Sequence, residues 1–121
     1  MSELDISGTH PGTYDNANPT FITSPNYPGG YDYDLDCRWT IKTLNDRIMA
    51  LHFTDFLTEA YYDPLYIYNG SNPDGILLAT LSGSSYPSLI FPTGKTTYLR
   101  FISSPYVYNK GFRISLKTYG K

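Results

Sequence analysis

Along residues 111–117, Phe112, Ile114 and Leu116 alternate with Arg113, Ser115 and Lys117. A period of two places the apolar side chains on one face of an extended strand and the polar ones on the other. The same alternation recurs in Cys37, Trp39 and Ile41 against Arg38, Thr40 and Lys42, in Met49, Leu51 and Phe53 along residues 47–53, and in Leu99 and Phe101 against Tyr98, Arg100 and Ile102. Shorter apolar runs at 65–68, 76–80 and 88–91 lie between the turn signals Asn69-Gly70, Asn72-Pro73, Asp74-Gly75 and Pro92-Thr93-Gly94-Lys95, which favour tight reversals. No stretch carries a sustained helical period. The expected fold is all-β: an antiparallel β-sandwich of about eight to ten short strands, each with one buried face. Asn45-Asp46 is expected to turn the 47–53 strand back against the Trp39 strand as a hairpin. Residues 1–18 are polar and aperiodic, and are expected to form an N-terminal arm or edge segment beside a single sandwich domain at 19–121.

At 121 residues one domain buries about two-thirds of its unfolded surface. A net charge of -2 supplies no basic field for a phosphate backbone, which excludes nucleic acid as a partner. No apolar run is long enough for a membrane-spanning helix, so no membrane insertion is expected. Met1-Ser2-Glu3-Leu4 lacks the basic and apolar regions of a signal sequence, so any targeting signal would belong to a longer natural protein. A single cysteine, Cys37, excludes an intramolecular disulfide and a cysteine-based zinc site. Its alternation with Trp39 and Ile41 makes it a buried thiol.

The opening stretch Phe21-Ile22-Thr23-Ser24-Pro25-Asn26-Tyr27-Pro28-Gly29-Gly30-Tyr31 reads as a strand entering a rigid loop. The prolines fix their own φ and push Ser24 and Tyr27 toward extended conformations. Asp32, Asp34 and Asp36 follow with the alternate spacing of a calcium loop. Cys37 and Thr43, however, stand where an EF-hand needs glycine and a final acid. These three acids are therefore expected to be solvated charges that discourage edge pairing. His10 lies in the polar arm and His52 opposite Leu51 and Phe53 in a strand. Neither belongs to a metalloprotease motif or a nucleophile elbow, and no spacing singles out a carboxylate pair. The chain reads as non-catalytic. Asn69-Gly70-Ser71 is a glycosylation triplet on a predicted turn.

Ser24-Pro25-Asn26-Tyr27-Pro28 with Tyr31, Cys37-Arg38-Trp39-Thr40-Ile41, Phe53 through Glu59, Tyr62-Asp63 with Leu65-Tyr66-Ile67-Tyr68-Asn69-Gly70, Leu81-Ser82-Gly83, and Leu99 through Ser104 before Gly111-Phe112 occur in this order. Together they resemble the CUB domain family, extracellular β-sandwich modules with a jelly-roll arrangement, over roughly residues 19–119. The family usually carries four cysteines in two bridges. Here Ala60 and Ser82 stand at the third and fourth, and no cysteine precedes Cys37.

Many members bind one calcium ion at an end of the sandwich. Carried over position by position, the resemblance implies a site of Tyr31, Glu59, Asp63 and Ser104, the last a hydroxyl where calcium-binding members carry an acid. Calcium is the one cofactor it implies, and the loop from Glu59 to Asp63 is shorter than in those members. In the absence of metal, Glu59 and Asp63 could receive a lysine of the partner. Tyr27, Tyr33, Tyr61, Tyr62, Tyr106 and Tyr108 would gather near the same end, where tyrosines suit protein contacts or stacking on sugars. The implied function is extracellular recognition or adhesion. The partner would be a protein or glycan on a cell surface or in the extracellular matrix. The module itself would be secreted or cell-surface, within a larger multidomain or oligomeric protein. A glycan-binding adhesin tip and a structural accessory domain of a secreted enzyme are the alternatives.

Overall fold

The computed structural model describes residues 3–5, 20–43, 47–70, 72–105 and 109–120, with Glu3–Asp5, Thr20, Arg47 and Thr118 described by backbone alone. Apart from Glu3–Asp5, the expected 1–18 arm lies outside the described residues, as do the Asn45-Asp46 turn, Ser71 of the glycosylation triplet, Tyr106 and Tyr108. The strands in chain order are β1 (Glu3–Asp5), β2 (Thr20–Thr23), β3 (Asp36–Lys42), β4 (Arg47–Leu57), β5 (Leu65–Asn69), β6 (Ile76–Leu81), β7 (Leu89–Ile90), β8 (Thr96–Ile102) and β9 (Gly111–Gly120). They form a five-stranded sheet ordered β1-β3-β8-β5-β6 and a four-stranded sheet ordered β2-β9-β4-β7. The expected all-β sandwich is what the chain builds. All pairs are antiparallel except β1, which lies parallel to β3 with Leu4 opposite Trp39.

The alternating residues close a single core between the sheets. Cys37, Ile41, Leu51, Leu65, Ile67, Leu99, Phe101, Phe112, Ile114 and Leu116 are fully buried there. Phe112 sits at its centre, with ring centroids 5.1 Å from Phe101, 5.7 Å from Phe56 and 6.0 Å from Trp39. A register shift between Phe53 and Asp55 inserts an extra residue, and both Phe53 and Phe56 therefore turn inward. Cys37 is free and buried. Desolvation pushes its thiol up to about 11, which leaves it an inert apolar side chain at neutral pH.

Two expectations are corrected. The Trp39 strand does not form a hairpin with residues 47–53. β3 pairs with β8, placing Trp39 opposite Leu99, while β4 pairs with β9 in the other sheet. Both strands bury one face against the same core, and alternation specifies a face, not a hydrogen-bonding neighbour. Asp36, secondly, is not a solvated charge on an edge. Arg38 and Arg100 stand directly opposite one another in the β3–β8 register, and Asp36 accepts hydrogen bonds from both, at 3.2 and 3.0 Å from Arg38 and at 2.9 and 2.8 Å from Arg100. The two guanidiniums hold its carboxyl well below the usual carboxylate range. Asp32 and Asp34 do remain exposed.

At one end of the sandwich Asn69 serves the fold. Its side-chain amide donates to Thr93 Oγ1 at 3.0 Å, and its carbonyl accepts from Gly94 N–H at 2.8 Å. At the opposite end lie the loops 24–35 and 58–64 and the described residues 103–105 and 109–110 of a third.

Candidate recognition end and its buried aspartate

The three loops converge on Asp63, which is fully buried. The Tyr31 hydroxyl donates to Asp63 Oδ2 at 2.5 Å, and Ser104 N–H donates to Oδ1 at 2.7 Å. Glu59 N–H donates back to the Tyr31 hydroxyl at 3.1 Å, and Asp63 N–H closes the turn on the Glu59 carbonyl at 3.1 Å. A carboxylate removed from water demands such donors, because its desolvation is otherwise uncompensated. The Tyr31 ring is itself buried against Phe101, edge to face at 5.0 Å. Its burial, together with the hydrogen bond to Asp63, raises the hydroxyl's pKa well above that of an ordinary tyrosine. The resemblance named Tyr31, Glu59, Asp63 and Ser104, and the structure brings all four together.

Ser103 ties the same loops from behind. Its hydroxyl accepts from Leu35 N–H at 2.7 Å and donates to the Asp32 carbonyl at 2.8 Å. Asp34 N–H reaches the Ser104 carbonyl at 3.3 Å, and Ile102 N–H the Pro64 carbonyl at 3.1 Å. Tyr31 N–H meets the Asn109 carbonyl at 3.2 Å.

Ala60 lies against Gly83, its Cβ 3.5 Å from where a Cβ on that glycine would be. The Tyr61 N–H donates to Ser82 Oγ at 2.9 Å. Thr58 N–H donates to the Gly83 carbonyl at 2.9 Å, and Gly83 N–H to Thr58 Oγ1 at 3.1 Å. These bonds hold the base of the 58–63 loop. Sequence reasoning missed Thr58 and Ser103 in these roles, and used Ser82 only as a marker; hydroxyl-to-backbone bonds leave no periodicity to read.

From that base Tyr61 projects at φ 70° with 91% of its surface exposed. A side chain with a Cβ pays for a left-handed backbone with roughly 1–2 kcal/mol, so the fold holds this ring in solvent against a local cost. Tyr62 beside it is 62% exposed, and Tyr33 on the neighbouring loop 48%. Tyr27 is placed differently. Its hydroxyl donates to Asp55 on β4, which Lys110 also meets at 2.8 Å.

The donor chemistry suits a hard cation. Ser104 Oγ is buried with no hydrogen-bond partner, and among the described residues the Glu59 carboxylate has none either. Calcium takes oxygen ligands, and Glu59, Asp63 and Ser104 supply oxygens only. With two carboxylates in the set, and no cluster of three or more His, Cys, Asp or Glu among the described residues, the fit is to a weak site.

The family model of the CUB domain matches residues 12–116. Mouse Tolloid-like protein 1 is 35% identical over 101 residues, covering 80% of this chain and 10% of its own length. The chain therefore spans about a tenth of that relative. The extracellular region of zebrafish Gpr126/Adgrg6 superposes with a TM-score of 0.76 at 26% identity, over 99% of this chain and 15% of that one. A crystal structure of the MASP-1 CUB2 domain bound to Ca2+ superposes with a TM-score of 0.70 at 25% identity, over 82% of this chain and 91% of that one. With an ordered set of motifs, a two-sheet sandwich and a family match over most of its length, the chain belongs to the CUB domain family.

Proposed function

We propose that this is a non-catalytic extracellular recognition module, part of a larger secreted or cell-surface protein, that binds a protein partner through its loop end. One observation carries the reading: Tyr61, on a base clamped by Thr58, Ser82 and Gly83, is held in a left-handed backbone with its ring in solvent. A rigid tyrosine gives contact area and a hydroxyl at low entropic cost. Tyr62 and Tyr33 extend the patch, and the exposed acids Asp32 and Asp34 with half-exposed Glu59 make it acidic, which favours a partner surface of complementary charge.

The test separates display from stability. In Tyr61→Gly the left-handed backbone costs nothing, so the melting temperature stays within about 3 °C of the parent. Binding of the labelled domain to immobilised, decellularised extracellular matrix should weaken at least tenfold, about 1.4 kcal/mol. Unchanged matrix binding by Tyr61→Gly and by Tyr62→Ser overturns the reading. Binding that survives protease treatment of the matrix, but not glycosidase treatment, moves the ligand to a glycan.

Calcium binds the same end weakly in this reading, held by Glu59, Asp63 and Ser104, and it would supply positive charge that fixes the three loops. Two carboxylates place the dissociation constant near 1 mM, in the range of extracellular modules. At about 10 mM calcium the linkage is then about 1.4 kcal/mol, a rise of roughly 4 °C over the melt in chelator. An unchanged melt removes calcium from the account and leaves the tyrosine surface standing.

A further inference from the structure

From Ile76 to Phe91 the chain carries no charged side chain across sixteen residues, in a sequence with twenty Asp, Glu, Lys and Arg residues in total. The segment contains β6, the intervening loop and β7, which are the outermost strands of the two sheets on the side where residues 82–88 connect them. Several of its apolar side chains are turned outward. Ile76 is 70% exposed, Leu77 49%, Leu78 38%, Leu89 44% and Phe91 52%. In β6 the cause is local: a register shift against β5 falls between the partners of Ile67 and Tyr68, so Leu77 and Leu78 both escape the core while Ala79 and Leu81 still pack against it.

The two edges differ in how they are protected. β7 is two residues long and lies between Pro87 and Pro92, a short, proline-bracketed edge of the kind that resists pairing. β6 has six residues, no proline, no lysine and, among the described residues, no strand on its far side. Its unpaired backbone groups call for another extended strand, and its neutral apolar side chains give a charged partner nothing to select.

We propose that this side is a homotypic interface, in which β6 of one copy pairs antiparallel with β6 of a second and joins two five-stranded sheets into one. A two-fold axis through Ala79 sets Leu78 opposite Thr80 of the other copy, on the outward face of the joined sheet. The only acid flanking the strand, Asp74, then meets Ser84 of the other copy, so no like charges are brought together. Continuing a sheet satisfies the edge, and the outward leucines cover each other. Leu81 runs into Ser82 and Gly83 at the base of the Tyr61 loop, but Ile76 lies at the far end of the strand, so a variant at Ile76 reads the dimer independently of the recognition reading.

Sedimentation velocity of the chain from roughly 5 to 500 μM tests it, a range suited to a small interface with a dissociation constant of tens of micromolar. Expected is a concentration-dependent shift from monomer to dimer. Ile76→Lys places two lysines in the interface and should weaken the dimer at least tenfold without a change in melting temperature, since the side chain is already in solvent. Leu78→Lys is the second variant, and Tyr62→Lys at the loop end should leave dimerisation unchanged. A chain that stays monomeric across the range, or a dimer indifferent to both β6 lysines, overturns the proposal; a dimer lost in Tyr62→Lys instead assigns it to the loop end.

Discussion

Gly111→Ala should unfold this domain or cost it about 4 kcal/mol, a fall in melting temperature of more than 10 °C. Gly111 sits at φ +95°, and a Cβ built there would lie 1.8 Å from Ser24 Oγ and 2.9 Å from Ser24 Cβ. Ser24 has nowhere to go. It is fully buried, its hydroxyl accepts from Phe112 N–H at 2.9 Å, and its own N–H donates to the Phe112 carbonyl at 3.1 Å. Moving Ser24 aside breaks the link between the opening loop and the start of β9, next to the ring that centres the core. The cost has two parts, backbone strain of roughly 1–2 kcal/mol and the overlap, and a second substitution separates them. Ser24→Gly in the Gly111→Ala background removes the overlapping hydroxyl and should recover part of the loss, with the strain remaining. A chemical denaturation series on the parent and the two variants measures this; a Gly111→Ala domain as stable as the parent would show that β9 does not begin in this geometry.

Asp63→Ala is the second large effect. The carboxylate is fully buried and accepts from Tyr31 and from Ser104 N–H. Alanine leaves two buried donors without an acceptor, each costing roughly 1–3 kcal/mol, offset in part because a charge need no longer be desolvated. The expected net loss is about 3 kcal/mol, near 10 °C in melting temperature. Asp63→Asn, which keeps one carbonyl acceptor in place, should lose less than half as much. Equal losses in the two variants would mean that an isosteric side chain with a single carbonyl acceptor recovers nothing, and that both carboxylate oxygens are needed together.

Much of the architecture was legible because burial imposes a period. Phe112, Ile114 and Leu116 face the core as their alternation implied, and so do Cys37, Trp39 and Ile41. What alternation cannot carry is the identity of the neighbouring strand, and the Trp39 strand was accordingly assigned to the wrong partner. Glu3–Asp5 has no apolar period of its own, and its parallel pairing with β3 depends on backbone groups that any residue supplies. The Asp36 ion pair was illegible for a related reason. Arg100 lies 64 residues away, and only the β3–β8 register brings it alongside Arg38. The site was legible in a different way. Tyr31, Glu59, Asp63 and Ser104 were named from the family's motif, not from spacing, because a cluster drawn from three loops has no signature along the chain. The same holds for the clamp formed by Thr58, Ser82 and Gly83.

The central claim is that Asp63 couples the three loops, so that a change on one is felt on another. Tyr31→Phe tests it most directly, since it removes a single hydroxyl and keeps the ring packed on Phe101. That hydroxyl is the acceptor for Glu59 N–H and one of the two donors to Asp63, while Ser104 N–H is the other. Amide hydrogen exchange followed by NMR should show faster exchange at both Glu59 and Ser104, with the amides of Leu99 and Ile114 in the central strands unchanged. Faster exchange at Glu59 alone, with Ser104 as protected as in the parent, would contradict the coupling and leave three loops that merely lie side by side.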